Sequence, residues 1–464
     1  MSVKRSQQSK AWAAVAGAVV LYLLFQVLPL LAHQFPGGYQ NDFKHLYAGS
    51  WLLAHGGNPY DAAQLQDFRA TFESEDARFG FGILPYVYLP FTGLVMSPLT
   101  TMRFGSAVVA WQLLNHALFL GGLALAACAG GWRFTWKSVA LIGAAAVWNF
   151  SVQRQNSAGQ LNMVLFFGMA LMAVGLARNW HPAAVGGIAA FLALFKITPG
   201  IFLVYFLMRR QWRHAAWMAG IGTALLLLCV LIVGPRVHLD FLPLLADMGF
   251  GKSTWAAEGM TFWRDPYNQS LNAFFHRALV AWEGHEPWLA VGERWANALT
   301  MACALGILGL CAWLWGKRGT ESERMTGFDA SGFSVAVMAS LLIPSLMWDH
   351  YLVQALLPAV LLWNHPAVRE RRWTRGLLAA CVVLFSTGVE FGALRLHAAM
   401  LGQPLLLVPG DWRRPVFEVL FGGVALPGAQ PLGALLQSLK LWPALALLAV
   451  GIHADRHPKD DGVE

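Results

Sequence analysis

Residues 183–208 read AAVGGIAAFLALFKITPGIFLVYFLM. The stretch is apolar enough to cross a bilayer once, since a helical crossing needs about 20 such residues. In its middle, Phe195-Lys196-Ile197-Thr198-Pro199-Gly200 sets an ammonium beside a Pro-Gly pair. Proline removes a backbone donor and clashes with the preceding turn, so it breaks a helix. That leaves two half-helices of about 12 residues, some 18 Å each. Both flanks are basic, with Arg178 before and Arg209, Arg210 and Arg213 after, as expected of short cytoplasmic loops. The sequence therefore predicts a hairpin that enters from the cytoplasm and returns. Non-helical backbone at membrane depth is tolerated only where protein or water surrounds it. The alternative, one tilted span, inverts the topology of everything downstream and spoils the charge bias.

Outward from this hairpin, candidate spans fall at 11–32, 106–130, 138–153, 160–177, 214–234, 296–316, 331–347, 350–364, 375–393 and 433–452. Ten crossings put both termini on one side. The segments then assigned to the cytoplasm hold Lys4, Arg5 and Lys10, Arg133 and Lys137, Arg178, the Arg209–Arg213 run, Lys317, Arg318 and Arg324, Arg369–Arg375, and Arg456 with Lys459. This is the positive-inside bias. Three long loops, 33–105, 235–295 and 394–432, fall on the opposite side. The predicted class is an all-α polytopic membrane protein of about ten spans plus a re-entrant hairpin, with short amphipathic helices on long outer loops. Residues 1–393 form the main membrane domain, and 394–464 an outer loop, a last span and a cytoplasmic tail.

Composition agrees. Of 464 residues, 57% are hydrophobic, 13% aromatic and 12% charged, with mean hydropathy +0.49. A soluble domain averages about a quarter charged residues, so a soluble enzyme and a disordered chain are excluded. The net charge of +8 and pI near 9.4 read as topology signal, and no nucleic-acid partner is expected. The five cysteines lie in apolar runs, giving neither a disulfide framework nor metal-ligand spacing. The basic N-terminus precedes an apolar run too long for a signal-peptide core, hence a retained first span.

Four polar and aromatic clusters share the outer side by parity. They are Asn41-Asp42-Phe43-Lys44-His45-Leu46-Tyr47, then Gln153–Asn156 with Gly159-Gln160-Leu161-Asn162, then Arg264–Ser270, and Trp348-Asp349-His350-Tyr351. A catalytic site at the outer membrane surface follows, with substrates available there. Phe43, Leu46, Tyr47 and Trp51 recur at helical spacing, predicting a short amphipathic helix on the outer leaflet ended by Gly56-Gly57. Asp42 then either caps that helix or does chemistry. Asp61, with Gln64 three residues on, reads as a capping box. Tyr86–Phe91 suits an interfacial anchor or the lining of an apolar groove. Arg154 pairs with an anionic headgroup or snorkels. His350, in a very short turn between apolar spans, is a functional candidate, or part of an aromatic belt. Lys196 at membrane depth needs a partner, whether carboxylate, half-helix carbonyls or a lipid phosphate.

Two motifs carry nothing. Gly249–Thr254 ends like a phosphate-binding loop but lacks its first glycine, where Ala246 stands, and follows no strand. Asn268-Gln269-Ser270 matches a glycosylation acceptor by chance. The outer loops hold no Asp-x-Asp pair, so no metal site is expected.

In order and spacing these pieces resemble glycosyltransferase family 87, polyprenyl-phosphate-dependent mannosyltransferase-like proteins of the C-type (GT-C) superfamily. The resemblance spans about residues 35–365. It rests on Asp42-Phe43, Tyr47-Ala48, Gly57-Asn58-Pro59-Tyr60-Asp61, Tyr88-Leu89-Pro90-Phe91, Gly159-Gln160-Leu161-Asn162, Phe195-Lys196-Ile197-Thr198-Pro199, Asn268-Gln269-Ser270-Leu271 and Trp348-Asp349-His350-Tyr351. It implies a GT-C bundle whose first outer loop holds an acidic catalytic residue, matched by Asp42. It also implies a lipid-phosphate sugar donor as co-substrate and inversion at the anomeric carbon; beyond that donor no cofactor is expected. His350, Arg154 and Lys196 are then candidates for the donor phosphate. Gln160, Asn268, Gln269, Tyr47, Trp348 and Tyr351 are candidates for substrate contact. The expected partners are a polyprenyl-phosphate sugar, a lipid or glycan acceptor and the bilayer, in the plasma membrane with cytoplasmic termini. A transporter of lipid-linked saccharide would need a second broken segment in the other half, and none is evident. A scaffold subunit of an envelope-synthesis complex would not depend on Asp42. The sugar, the acceptor and the oligomeric state are not legible.

Overall fold

A computed structural model describes residues 2–28, 41–75, 85–256, 261–265, 267–282, 287–321, 328–387, 434–435 and 437–456. The expected outer loop 394–432, parts of the first outer loop and the end of the tail lie outside the described residues. Among those described, the chain is helical, with one isolated antiparallel bridge between Asn268 and Trp348.

In chain order the helices are α1 (Ser2–Tyr22, continued by a π turn to Val27), α2 (Asn41–Ala54), α3 (Ala62–Glu75), α4 (Pro90–Met96), α5 (Phe104–Ala129) and α6 (Trp136–Val147). Next come α7 (Phe150–Ala158), α8 (Asn162–Ala177), α9 (Pro182–Phe195), α10 (Ile201–Met208), α11 (Trp212–Val233) and α12 (Pro235–Asp247). The last are α13 (Leu271–Leu279), α14 (Glu293–Glu321), α15 (Ala330–Leu342), α16 (Leu356–Trp363), α17 (Arg372–Ser386) and α18 (Leu441–Arg456).

Among the described residues, four stretches are long and apolar enough to cross a membrane: Ser6–Val27, Phe104–Ala129, Trp212–Val233 and Glu293–Lys317. They expose apolar side chains outward, as Leu227, Leu228 and Leu231 do on α11. The membrane class expected from composition therefore holds. Helices such as α6, α8, α9 and α15 have 12 to 16 residues. They rise roughly 18–24 Å, short of a hydrocarbon core of about 30 Å. The helices α8 and α15 are apolar and largely buried within the bundle, the pattern of core helices. The predicted span at 350–364 is not one helix: a 3-10 turn, Asp349–Ala355, precedes α16.

Local chemistry fixes the ends that matter for the site. Asn149 caps α7, its Oδ1 accepting from Val152 N at 3.0 Å. Gly159 ends α7 at φ +71°, in the left-handed region that suits glycine. Ser270 caps α13 through Ala273 N at 3.1 Å. Asp61 caps α3, its Oδ1 accepting from Ala63 N at 2.9 Å while Gln64 bonds both Asp61 and Asn58 N.

The helix expected to lie on the outer leaflet is instead enclosed by protein. Residues 43–50 of α2 are all buried, Lys44 and His45 included. The helix α4 and the turn Ser97–Thr101 pack on it. Gly49 of α2 makes room for the Tyr86 ring, and Gly93 of α4 for the Leu53 side chain and the Tyr86 hydroxyl, which an added Cβ at each position would strike. Helical spacing of apolar residues cannot distinguish a lipid surface from a protein wall, and here it is a wall.

Candidate active site

A cavity of about 630 Å³ opens between the start of α2, the α7–α8 junction, the break at Lys196, the segment 245–267 and the turn before α16. Its lining brings together Asp42, Arg154, Gln160, Lys196, Trp348, His350 and Tyr351. These seven residues come from four segments separated by up to 309 positions of sequence.

Asp42 lies in the first turn of α2, where the helix dipole favours a carboxylate. Its Oδ2 accepts from Gln160 Nε2 at 2.7 Å. Gln160 is held by its own backbone: the left-handed Gly159 turns the chain, Trp111 Nε1 donates to Gly159 O at 2.8 Å, and Gln155 Nε2 donates to Gln160 O. Capping is thus not the described role of the Asp42 side chain. It faces a cavity and is oriented by a neutral amide.

Lys196 has no carboxylate at ion-pair distance among the described residues. Its Nζ donates to Asn162 Oδ1 at 3.1 Å and lies 3.5 Å from the centre of the Tyr351 ring. Asn162 Oδ1 also accepts from Gln354 Nε2 at 3.1 Å, and Asn162 Nδ2 donates to Gln155 Oε1 at 2.7 Å. An ammonium carries three donors. An amide oxygen and a ring face orient this one without neutralising it, in a cavity that Asp42 also lines.

Arg154 is half-buried and meets an anion of the protein itself. Its Nε is 3.6 Å from Asp349 Oδ2 and its guanidinium carbon is 3.9 Å from the Tyr267 ring centre. Asp349 is fully buried and also sits 3.4 Å from His350 Nδ1. The other ring nitrogen, His350 Nε2, is buried with no hydrogen-bond partner among the described residues. The ring lies edge-on to Tyr351 at 4.9 Å. Asp265, which the sequence did not single out, lines the same cavity. Burial raises its carboxyl to about 6, against the pull of the Tyr267 N–H and of Arg277 and Arg154.

Tyr47, Asn268 and Gln269 are not among the lining residues. Tyr47 donates to Met102 O at 2.9 Å. Asn268 Oδ1 accepts from Ser270 N and Met347 N, and its Nδ2 donates to Phe262 O. Gln269 Nε2 donates to Gln437 O at 2.7 Å and its Oε1 accepts from Lys440 N at 2.9 Å. Their amides lock the second outer loop to the turn at 347–349 and to the chain just before α18. Asn162 was missed because its role needs Lys196 and Gln354 to converge on it. Its place in the quoted Gly-Gln-Leu-Asn run was the available signal.

Among the described residues the protein is a helical membrane protein whose largely apolar cavity holds two carboxylates, Asp42 and Asp265, and a lysine with no carboxylate at ion-pair distance. The chain belongs to glycosyltransferase family 87, whose sequence model matches residues 86–344. It is 27% identical over 382 residues to the polyprenol-phosphate-mannose-dependent alpha-(1-2)-phosphatidylinositol pentamannoside mannosyltransferase of Mycobacterium tuberculosis (strain CDC 1551 / Oshkosh), covering 81% of this chain and 78% of that one. The protein of the same description from Mycolicibacterium smegmatis (strain ATCC 700084 / mc(2)155) is 26% identical over 309 residues, covering 66% of this chain and 68% of the relative. No solved structure matches the chain.

Proposed function

We propose that this glycosyltransferase moves mannose from a polyprenyl-phosphate donor to a saccharide-headed lipid or glycan, at the membrane face opposite the cytoplasm. The observation that carries the reading is the pairing, in one cavity, of Asp42 with the ammonium of Lys196. The mannose and the lipid-phosphate donor follow what the mycobacterial relatives are named for.

The acceptor hydroxyl gives its proton to Asp42 as its oxygen bonds to the anomeric carbon. The bond from that carbon to the phosphate oxygen breaks, and the electron pair leaves with the polyprenyl phosphate. Attack opposite the leaving group inverts the centre. Charge develops on the leaving phosphate, so donors aimed there act on the transition state. Lys196 and His350 Nε2 are those donors. Arg154, flanked by Asp349, braces His350 and the turn rather than the substrate. Gln160 holds the base, and Tyr351 borders the reacting sugar. The apolar side of the cavity, with Ile197, Ile201, Leu245, Met248 and Ile343, takes the first isoprene units. Residues 1–393 act as the catalytic membrane domain, and the reaction runs without metal.

The topology follows the same reading. Gly186 lets the start of α9 lie against His214 and Met218 at the start of α11. Lys196, at the far end of α9, meets Asn162 at the start of α8. Arg209, just past α10, pairs with Asp329 before α15. These contacts support α9 and α10 as a hairpin with Lys196 at its tip, and the basic short loops favour both termini on the cytoplasmic side.

Purified protein in lipid nanodiscs, given a panel of polyprenyl-phosphate sugars and extracted envelope lipids, tests the function. Transfer from the mannose donor, with a product heavier by one hexose, is expected. Transfer only from a nucleotide sugar would overturn it.

A further inference from the structure

The cavity has two chemically different walls. One is aliphatic, with Ile197, Leu245 and Met248, and the Ile197 and Leu245 side chains are also exposed at its edge. The other comes from the second outer loop and the turn before α16. It carries Thr254, Trp255, Phe262, Asp265 and Trp348, which belong to neither the general base nor the phosphate-side groups.

This second wall is built rather than incidental. Trp255 Nε1 donates to Pro85 O at 3.3 Å, fixing the indole. Phe262 meets Trp255 edge-on at 5.0 Å and Trp348 edge-on at 5.9 Å. The Asn268–Trp348 bridge, with Asp349 N donating to Tyr267 O at 2.8 Å, ties the two segments together. Polar groups on this wall have capacity to spare. Thr254 Oγ1 is a buried atom with no hydrogen-bond partner among the described residues. Asp265 Oδ1 accepts one backbone N–H, from Tyr267 at 2.8 Å, while a carboxylate offers about four acceptor sites.

Fixed aromatic faces beside a carboxylate and a hydroxyl suit a pyranose ring. Its C–H face packs on an indole, and its hydroxyls donate to carboxylate oxygens. An isoprenoid chain, having no polar hydrogens, would leave Thr254 and Asp265 unsatisfied, at a cost typical of buried polar groups. We infer that Trp255, Phe262, Trp348, Thr254 and Asp265 form the acceptor subsite, holding a sugar ring of the acceptor while the aliphatic wall holds the donor lipid. The inference rests on the transfer reaction proposed above and adds where, and by what chemistry, the acceptor is recognised.

The test is steady-state transfer by the full chain in nanodiscs, with polyprenyl-phosphate mannose as donor and octyl α-mannoside as acceptor probe. Trp255→Ala and Asp265→Asn are each expected to raise the acceptor KM at least tenfold while the donor KM stays within twofold. Trp255→Phe, which keeps a ring, recovers most of that loss and guards against a variant that fails to fold. An unchanged acceptor KM, or equal rises in both KM values, would overturn the subsite. Absence of any transfer by the wild-type protein would instead count against the proposed function, so the two failures are separable.

Discussion

Two charge clusters, one buried and one half-buried, sit at opposite ends of α10, and they differ in how their charges are met. Beyond its C-terminus, Arg209 Nη2 lies 3.0 Å from Asp329 Oδ2. Asp329 Oδ1 takes the Ser331 hydroxyl at 2.6 Å and Gly332 N at 3.0 Å, and Ser331 reaches on to Asp455 at 3.4 Å. Cation meets anion directly, and the anion caps a helix. Before its N-terminus, Lys196 meets an amide and a ring, Asp42 meets an amide, and His350 Nε2 meets nothing described. A direct ion pair holds helices together. Charges aligned by neutral groups keep their capacity for a ligand, and such sites carry function at a cost in stability.

Breaking each cluster should therefore give different losses. On the proposed mechanism, Lys196→Met removes a leaving-group donor, and transfer should fall about 10²–10³-fold in kcat/KM. The variant's melting temperature should hold or rise, since a half-buried lysine with no carboxylate at ion-pair distance is replaced by an apolar side chain. A large loss of stability with normal turnover of the folded fraction would assign Lys196 to bracing. Arg209→Ala should do the reverse, leaving Asp329 buried without its cation. A loss of about 3–5 kcal/mol in stability is expected, read as a lower melting temperature, with both KM values near wild type. The pair Arg209→Met with Asp329→Leu should lose less than Arg209→Ala alone, because neither charge is stranded. A double variant as unstable as the single one would contradict that.

The same contrast explains what the sequence made legible. Asp42, Gln160 and His350 stood in short polar runs between apolar segments, and Lys196 stood inside an apolar one, where an ionisable group is rare enough to stand out. The Pro-Gly break marked Lys196 directly. Partners joined across the chain were not legible. Asn162 gains its role from Lys196, 34 residues on, and Gln269 spends its amide on Gln437 and Lys440, some 170 residues on. The approach of Arg154 to Asp349, 195 residues on, likewise forms only in three dimensions. Asp265 sat among loop residues with no periodicity to single it out, and burial in the folded cavity is what distinguishes it.

The central claim is that Asp42 is the base. The direct measurement is single-turnover sugar transfer by Asp42→Asn in nanodiscs, with donor binding measured on the same preparation. The account predicts intact donor binding and transfer slower by at least about 100-fold, because the amide cannot take the acceptor's proton. Transfer at the wild-type rate from a fully bound donor would contradict it.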